Sequence, residues 1–197
     1  SKPGASTFCM CPGGTVIPAT AVSGELSSNG MSNRARDGEF ANSTIVVTPD
    51  RTKFKTHAEA FGFLSALGRK TFYAGGEDYG FPAQDADAFL TGNVRLLHKK
   101  SSVQTQLVPA DISSLLPQEI TATIRRALRE FDRRFPGFIK YGKLIGVESY
   151  VSSPVRFIRD INMMSTVEQL YFAGEGAGMA GGILSAAVDG IKVAQAV

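Results

Sequence analysis

The chain has 197 residues, with 43% hydrophobic and 20% charged residues, so its length suits one domain or two small ones. Its net charge of +3 is too small to demand a nucleic-acid or membrane partner, and no apolar run approaches the roughly 20 residues that span a bilayer. This composition excludes a disordered, collagen-like or coiled-coil chain.

The N-terminal third predicts two strands, a polar loop and a helix. Residues 15–22 and 43–48 are rich in β-branched side chains, which predicts strands. The stretch 27–42 between them is rich in Asn, Ser and Gly and predicts a loop. Apolar residues recur at helical spacing from Thr56 to Tyr73, so we expect a helix that ends at Gly75 and Gly76.

The middle of the chain predicts one short and one long helix. The short helix is expected at 83–91, and residues 92–113 follow no regular pattern. The clearest helical periodicity covers 117–135, where apolar residues line one face and arginines line another. The apolar stripe consists of Ile120, Ile124, Leu128, Phe131 and Phe135.

The last third predicts strands at 144–151, 155–159 and 168–173, followed by a final helix at 181–196. Taken together, the elements predict an α+β fold with a mixed or antiparallel sheet and packed helices. The chain is expected to end in a βα pair.

The strongest local motif lies where that βα pair turns. Gly176, Gly178 and Gly181 form G-x-G-x-x-G, but a dinucleotide fingerprint needs a second strand with an acidic residue about 20 residues further on. That strand is lacking, so a different geometry is predicted. Gly174 and Glu175 would face ligand hydroxyls, while Gly181 and Gly182 would aim backbone N–H groups at a carbonyl or anion. Such an arrangement suits a flavin; the alternative is a packing turn without ligand.

Two cysteines, Cys9 and Cys11, are the only ones in the chain. Side chains in an extended chain diverge, which disfavours a disulfide between them, and a single C-x-C is at most half of a metal site. No metal site is therefore predicted. The pair is a candidate for redox chemistry beside an electron-carrying ring, with two small buried apolar side chains as the alternative.

Two polar segments are candidates for holding an anion or substrate. Ser153 and Arg156 lie in a turn rich in hydroxyl groups, and Arg36 lies in a Gly-flanked loop. The alternative in both cases is a solvated surface turn or loop.

The arginine face of the 117–135 helix supports a second hypothesis, a non-enzymatic module that binds RNA or a protein partner. The face carries Arg125, Arg129 and Arg133. Acidic residues are interspersed with them, which favours an ordinary solvated face over nucleic-acid binding.

Seven segments, in this order, resemble the bacterial FAD-dependent (NAD(FAD)-utilising) dehydrogenases. They are FCMCPGG (8–14), NGMSNRARDG (29–38), ANS (41–43), DISSLLP (111–117), FDRRFPGF (131–138), ESYVSSPVR (148–156) and GEGAGMAGGI (174–183).

The resemblance implies that the chain is the C-terminal part of a longer FAD-dependent oxidoreductase. Residues 1–165 would form the inserted, substrate-side domain, and 166–197 a strand–helix segment of the FAD-binding domain. FAD would lie beside Gly174, Glu175 and the segment Ala180 to Ile183. The partners would be the missing N-terminal half and a small-molecule substrate, with NAD(P)H a possible reductant.

The resemblance also implies limits on function. The family has no established catalytic residues, so Cys9 and Cys11 stay candidates only. This 197-residue chain, without the N-terminal half, is expected to be inactive and to bind FAD weakly, because the adenosine and pyrophosphate contacts are missing. Met179 replaces a frequent Tyr, which weakens the expectation of ring stacking at that position. Tyr150 with Val151 replaces Arg-Thr, which weakens the anion-site hypothesis.

The scarcity of cysteines and the lack of a leader pattern predict a cytoplasmic location.

Overall fold

The computed structural model describes residues 4–94 and 97–197. These residues form two compact units, each of which is described by itself. The first unit holds the chain up to Lys53 and Gly62–Ser149, and the second holds Phe54–Phe61 and Tyr150–Val197.

Four short strands begin the first unit: β1 (Ala5–Cys11), β2 (Gly14–Pro18), β3 (Ser28–Ser32) and β4 (Asn42–Val47). They form two antiparallel pairs, β1 with β4 and β2 with β3. The predicted strands at 15–22 and 43–48 correspond to β2 and β4. The loop predicted at 27–42 is corrected, because β3 lies within it. Its sequence, SNGMS, has few strand-forming side chains, and the pairing with β2 imposes the extended conformation.

A three-stranded sheet lies at the centre of the first unit. Strand β5 (Phe81–Asp85) is in the middle, parallel to β6 (Leu107–Pro109) and antiparallel to β7 (Lys143–Ile145). All five residues of β5 are buried. The helix predicted at 83–91 therefore begins too early in the prediction, because residues 83–85 belong to β5 and the helix starts at Ala86. The stretch 92–113, predicted to be irregular, contains strand β6.

Helices cover this sheet. They are α2 (Ala86–Thr91), α3 (Ile112–Leu115), α4 (Gln118–Arg134) and α5 (Phe138–Tyr141). Phe89, Ile112, Leu115 and Leu128 form the buried cluster between them, and Ile124 packs against it. The helix predicted at 117–135 is confirmed as α4. Its stripe ends earlier than predicted, because Phe135 follows the last helical residue and is 68% exposed.

Helix α1 (His57–Ala74) has residues in both units and confirms the helix predicted from Thr56 to Tyr73. Thr56 caps its start, since the Thr56 hydroxyl accepts a hydrogen bond from the Glu59 N–H at 3.2 Å. The Glu59 carboxylate in turn accepts one from the Lys55 N–H at 2.7 Å. Gly75 and Gly76 follow the last turn, as predicted.

From Tyr150 onward, the second unit consists of irregular chain and the helix α6 (Ile183–Ala196), which confirms the predicted last helix. The strands predicted at 155–159 and 168–173 are wrong; the latter segment makes only an isolated bridge between Tyr171 and Met164. A strand needs a hydrogen-bonding neighbour along its length, and the described residues supply none there. Of the strand predicted at 144–151, only residues 144 and 145 form a strand, as part of β7.

The α+β class is confirmed by these elements. Across residues 4–94 and 97–197, we find no helix that combines the length and the apolar character needed to cross a bilayer.

Candidate functional site

The glycine-rich turn of the second unit, residues 174–182, is closed by its own backbone. Gly178 N–H donates to the Glu175 carbonyl at 2.8 Å, and Met179 N–H donates to the Gly174 carbonyl at 3.1 Å. Gly174 and Gly178 have φ values of +74° and +71°. Because side chains strain this left-handed conformation, the backbone favours glycine at these two positions.

The segment 155–157 lies against this turn. A Cβ at Gly178 would lie 2.1 Å from the Val155 carbonyl oxygen, so only glycine allows this approach. Arg156 Nε donates to the Gly178 carbonyl at 3.1 Å, and Phe157 N–H donates to the Ala177 carbonyl at 3.1 Å. The structure thus brings Arg156, one predicted anion-binding residue, onto the predicted glycine turn.

The other two predicted anion-binding residues lie elsewhere. The Ser153 hydroxyl donates to the Val155 carbonyl at 2.9 Å, which makes a local turn rather than a ligand contact. Arg36 belongs to the first unit, where its backbone packs against Gly13.

A bidentate ion pair fixes the turn to helix α6. Arg159 Nη1 and Nη2 donate to the two carboxylate oxygens of Asp189 at 3.0 and 2.9 Å. Asp189 also accepts from Gly174 N–H at 2.8 Å, and Arg159 donates to the Phe172 carbonyl at 2.9 Å. The side chains of Arg159 and Asp189 are only 10% and 13% exposed.

The hydrogen bonds from Arg159, and then from Gly174 N–H, hold the pKa of Asp189 below its usual value. The bond to Asp189 likewise raises the pKa of Arg159. Sequence analysis did not identify this pair, because its members lie 30 positions apart and neither belongs to a recognisable motif.

Two further glycines of the motif have a different environment. A Cβ at Gly176 or Gly181 would meet nothing within 4 Å among the described residues. Neither has a φ in the left-handed region, and Glu175 beside Gly176 is exposed. Packing against the described residues therefore does not explain these two glycines.

Helix α6 begins directly after Gly181 and Gly182. Gly182 precedes the first helical residue without a side-chain cap. The first N–H groups of a helix have no partners within the helix and carry its positive dipole end. Ala180, Gly181, Gly182 and Ile183 thus lie where the sequence predicts contact with a carbonyl or anion.

An open groove of about 500 Å³ lies next to the turn. Arg156, Phe157, Met163 and Met179 contribute to its lining. Phe157 stacks on Phe172 with ring centroids 4.0 Å apart, which fixes one side of the groove. Met179 supplies a flexible apolar side chain where an aromatic ring is expected from the resemblance.

The apolar residues of α6 are exposed to an unusual degree. Ile183 and Leu184 are 91% and 82% exposed, and Val188 and Ile191 are exposed as well. Gly190, in the interior of the helix, would place a Cβ in open space. A glycine in the interior of a helix destabilises the helix by about 1 kcal/mol relative to alanine. Neither Gly190 nor the exposed apolar side chains therefore stabilise the second unit by itself.

The predicted cysteine site lies in the first unit, at the end of β1. Cys9 is exposed and Cys11 is half-buried, and neither is part of a disulfide. The side-chain nitrogen of Asn42 is buried nearby without a hydrogen-bond acceptor. A Cβ at Gly30 would lie 3.2 Å from Cys11 Sγ and 2.0 Å from Asn42 Oδ1. The glycines of this region therefore serve close packing, and no group of three metal-ligating side chains occurs among the described residues.

Of the three arginines on the predicted face of α4, Arg125 is held by another element of the first unit, whereas Arg129 and Arg133 make contacts only within α4 among the bonds of the described residues. Arg125 Nε donates to the Phe89 carbonyl at 3.0 Å, and its guanidinium lies 5.1 Å from the centroid of the Phe89 ring. Arg133 forms an ion pair with Glu130, which also accepts from Arg134. These contacts give no support to the hypothesis of an RNA- or protein-binding face.

Comparison with known proteins identifies relatives of the chain. Residues 1–151 match the family model described as "FAD-dependent protein, C-terminal domain-like". A protein from Clostridium beijerinckii, named only as an uncharacterized protein, is 37% identical over 206 residues. That match covers 98% of this chain but only 38% of the relative, so the chain spans well under half of the relative's length. Since the family model covers most of the chain, the chain belongs to the family of FAD-dependent proteins that this C-terminal domain-like region defines.

Proposed function

We propose that the chain is the C-terminal part of an FAD-dependent oxidoreductase and supplies a glycine-rich contact to the flavin. The observation that carries this proposal is the pair of open glycines, Gly176 and Gly181. The backbone favours glycine at positions 174 and 178, but nothing within 4 Å of the other two explains the lack of a side chain. A flat ligand lying against the backbone does explain it.

Each residue of the turn has a role in this proposal. The exposed carboxylate of Glu175 would accept a hydrogen bond from a cofactor hydroxyl. The backbone N–H groups from Gly181 to Ile183, at the start of α6, would help to hold the flavin and would stabilise negative charge on it. FAD, when bound, supplies the redox chemistry, and the chain positions and tunes it. Arg159 and Asp189 hold the turn in place.

The second part of the proposal concerns helix α6. Residues 166–197 complete the flavin-binding domain of the intact protein, and residues 1–165 form the substrate-side domain. The exposed apolar side chains Ile183, Leu184 and Val188 support this assignment, since burying each one against a partner contributes about 1.5–3 kcal/mol. The greater length of the Clostridium relative is consistent with such a partner domain.

Several finer features stay predictions. They are a dehydrogenase reaction, a nicotinamide nucleotide as the reductant, a small-molecule substrate and a cytoplasmic location. The chain without its partner domain is predicted to be inactive and to bind FAD weakly.

The experiment replaces Gly176 by valine in protein expressed from the complete gene. A side chain at this position meets no atom of the described fold, so the unfolding temperature of the flavin-free protein should stay unchanged. The content of bound flavin, measured by absorbance after purification, should fall. The dissociation constant for FAD added to the flavin-free protein should rise at least about tenfold, which corresponds to a loss of about 1.4 kcal/mol in binding.

Gly62→Val is the matched control, because a Cβ at Gly62 also meets nothing within 4 Å and the residue lies in α1, outside the turn. This variant should retain its flavin. Equal flavin content in both variants would refute the assignment of the turn to the cofactor.

A further inference from the structure

Strand β1 is not extended where its two cysteines lie. The pairing of β1 with β4 runs from Phe8 opposite Thr44 to Cys11 opposite Asn42, so three steps along β1 match two along β4. The additional residue makes a β-bulge. Cys9, within the bulge, has a φ of +50°, a left-handed conformation that is costly for any residue with a side chain.

The bulge removes the geometric objection to a bond between the two sulfur atoms. Cα atoms separated by two steps of chain are at most about 7 Å apart, near the upper limit for a disulfide, and a bend shortens that distance. In the structure, the Cys11 thiol folds back and donates to the Cys9 carbonyl oxygen at 3.4 Å. The argument that side chains diverge in an extended chain therefore does not apply here.

The two thiols differ in their access to solvent. Cys9 is exposed, as is Met10 between them, whereas Cys11 is half-buried and faces back toward Cys9. An incoming oxidant therefore reaches Cys9 first, and Cys11 is positioned to act second.

We propose that Cys9 and Cys11 form a redox-active dithiol that closes to a disulfide across Met10 by exchange with low-molecular-weight disulfides. In the first step, the Cys9 thiolate attacks one sulfur of a disulfide such as oxidised glutathione, which releases one thiol and leaves a mixed disulfide on Cys9. In the second step, the Cys11 thiolate attacks the Cys9 sulfur and releases the second thiol. The chain loses two electrons and two protons, and the oxidant is reduced to two thiols.

This inference does not rest on the proposed flavin site, since the exchange needs neither flavin nor the second unit. The experiment can therefore be done on protein with or without bound cofactor. A negative result would leave the flavin proposal intact, and loss of the flavin proposal would leave this one intact.

The test equilibrates the protein in buffers of graded ratios of reduced to oxidised glutathione, followed by alkylation of the remaining thiols. The tryptic peptide that ends at Arg34 contains both cysteines, so its mass reports the state of the pair. We expect this peptide to lose two hydrogens in oxidising buffer and to recover them in reducing buffer. The folded protein should form the internal bond at a glutathione ratio at least about tenfold more reducing than the urea-unfolded chain does, because the fold bends the backbone at Cys9 and turns the Cys11 thiol back toward it.

Two single variants test the order of the steps. Cys11→Ser should retain one glutathionyl group on Cys9, because the second step is blocked. Cys9→Ser should react with oxidised glutathione at least about tenfold more slowly than Cys11→Ser, because its one remaining thiol is half-buried.

Three results would overturn the proposal. They are mixed disulfides on the wild-type protein without an internal bond, equal midpoints for the folded and unfolded chains, and uptake of a soft metal ion by the reduced pair that accounts for all of its protection from alkylation.

Discussion

Replacing Asp189 by alanine should loosen the glycine-rich turn more than any other single loss of charge in the second unit. The substitution removes both hydrogen bonds from Arg159 and the one from Gly174 N–H. It leaves the guanidinium of Arg159, only 10% exposed, with the Phe172 carbonyl as its remaining partner. Breaking a buried ion pair in this way costs about 3–5 kcal/mol, and the residual exposure of both groups favours the lower end, about 3 kcal/mol.

Amide hydrogen exchange measures this loss directly, because it reports local opening of the second unit rather than unfolding of the whole chain. A loss of about 3 kcal/mol raises the exchange rate of the turn's protected amides by about a hundredfold. The amides of Gly178 and Met179 are the probes, because their hydrogen bonds go to backbone carbonyls and not to Asp189. Glu130→Ala is the matched control: Glu130 also pairs with arginines, but on the exposed surface of α4. Exposed pairs contribute little to stability, so this variant should change exchange in its own region less than tenfold.

The pH dependence of the same amides provides an independent check. Because its folded-state pKa is lowered, Asp189 stabilises the fold fully above the ordinary pKa of an aspartate, about 3.9, and loses this effect as pH falls through the lowered value. Arg159 stays charged throughout. Protection of Met179 should therefore decrease below about pH 4 in the wild type and change much less in Asp189→Ala. An effect of Asp189→Ala no larger than that of Glu130→Ala would refute the reasoning.

Two further predictions concern packing. Gly13→Ala should destabilise the first unit by about 3 kcal/mol in urea unfolding, because Gly13 has a φ of +59° and a Cβ there would lie 2.4 Å from the backbone of Arg36. The control, Gly62→Ala in α1, should instead stabilise the unit by about 0.5–1 kcal/mol. Similar effects of the two substitutions would contradict the close approach of Arg36 to Gly13. Leu184→Glu should change the stability of the 197-residue chain by less than about 0.5 kcal/mol but that of the protein from the complete gene by about 1.5–3 kcal/mol. Val22→Glu, at an exposed apolar residue outside the helices, is the control that should be neutral in both. An equal effect of Leu184→Glu in both proteins would exclude docking through α6.

The sequence predicts those elements whose signals are local. Helix α1 carries its own cap at Thr56 and a pair of glycines at its end, and α4 has an apolar stripe that continues over several turns. Strand β5, with the sequence Phe-Pro-Ala-Gln-Asp, has no such signal. It is a strand because β6 and β7, distant in sequence, supply its hydrogen bonds on either side. The proline in its second position argues against a central strand when the sequence is considered alone.

The candidate site likewise has some features that are evident from the sequence and others that depend on the fold. The glycines of the 174–182 turn and their place before a helix are evident from the sequence, because turn and cap preferences are local. The sequence does not distinguish Gly178, which the fold requires, from Gly176, which it leaves open; that difference depends on the approach of Val155. The ion pair between Arg159 and Asp189 depends on the fold of the whole second unit.

The visible absorbance spectrum of protein purified from the complete gene tests the central claim most directly. The account predicts the absorbance bands of an oxidised flavin, and the release of FAD when the protein is denatured. A colourless protein that also fails to take up added FAD would contradict the account, and would mean that the open glycines of the 174–182 turn serve another purpose.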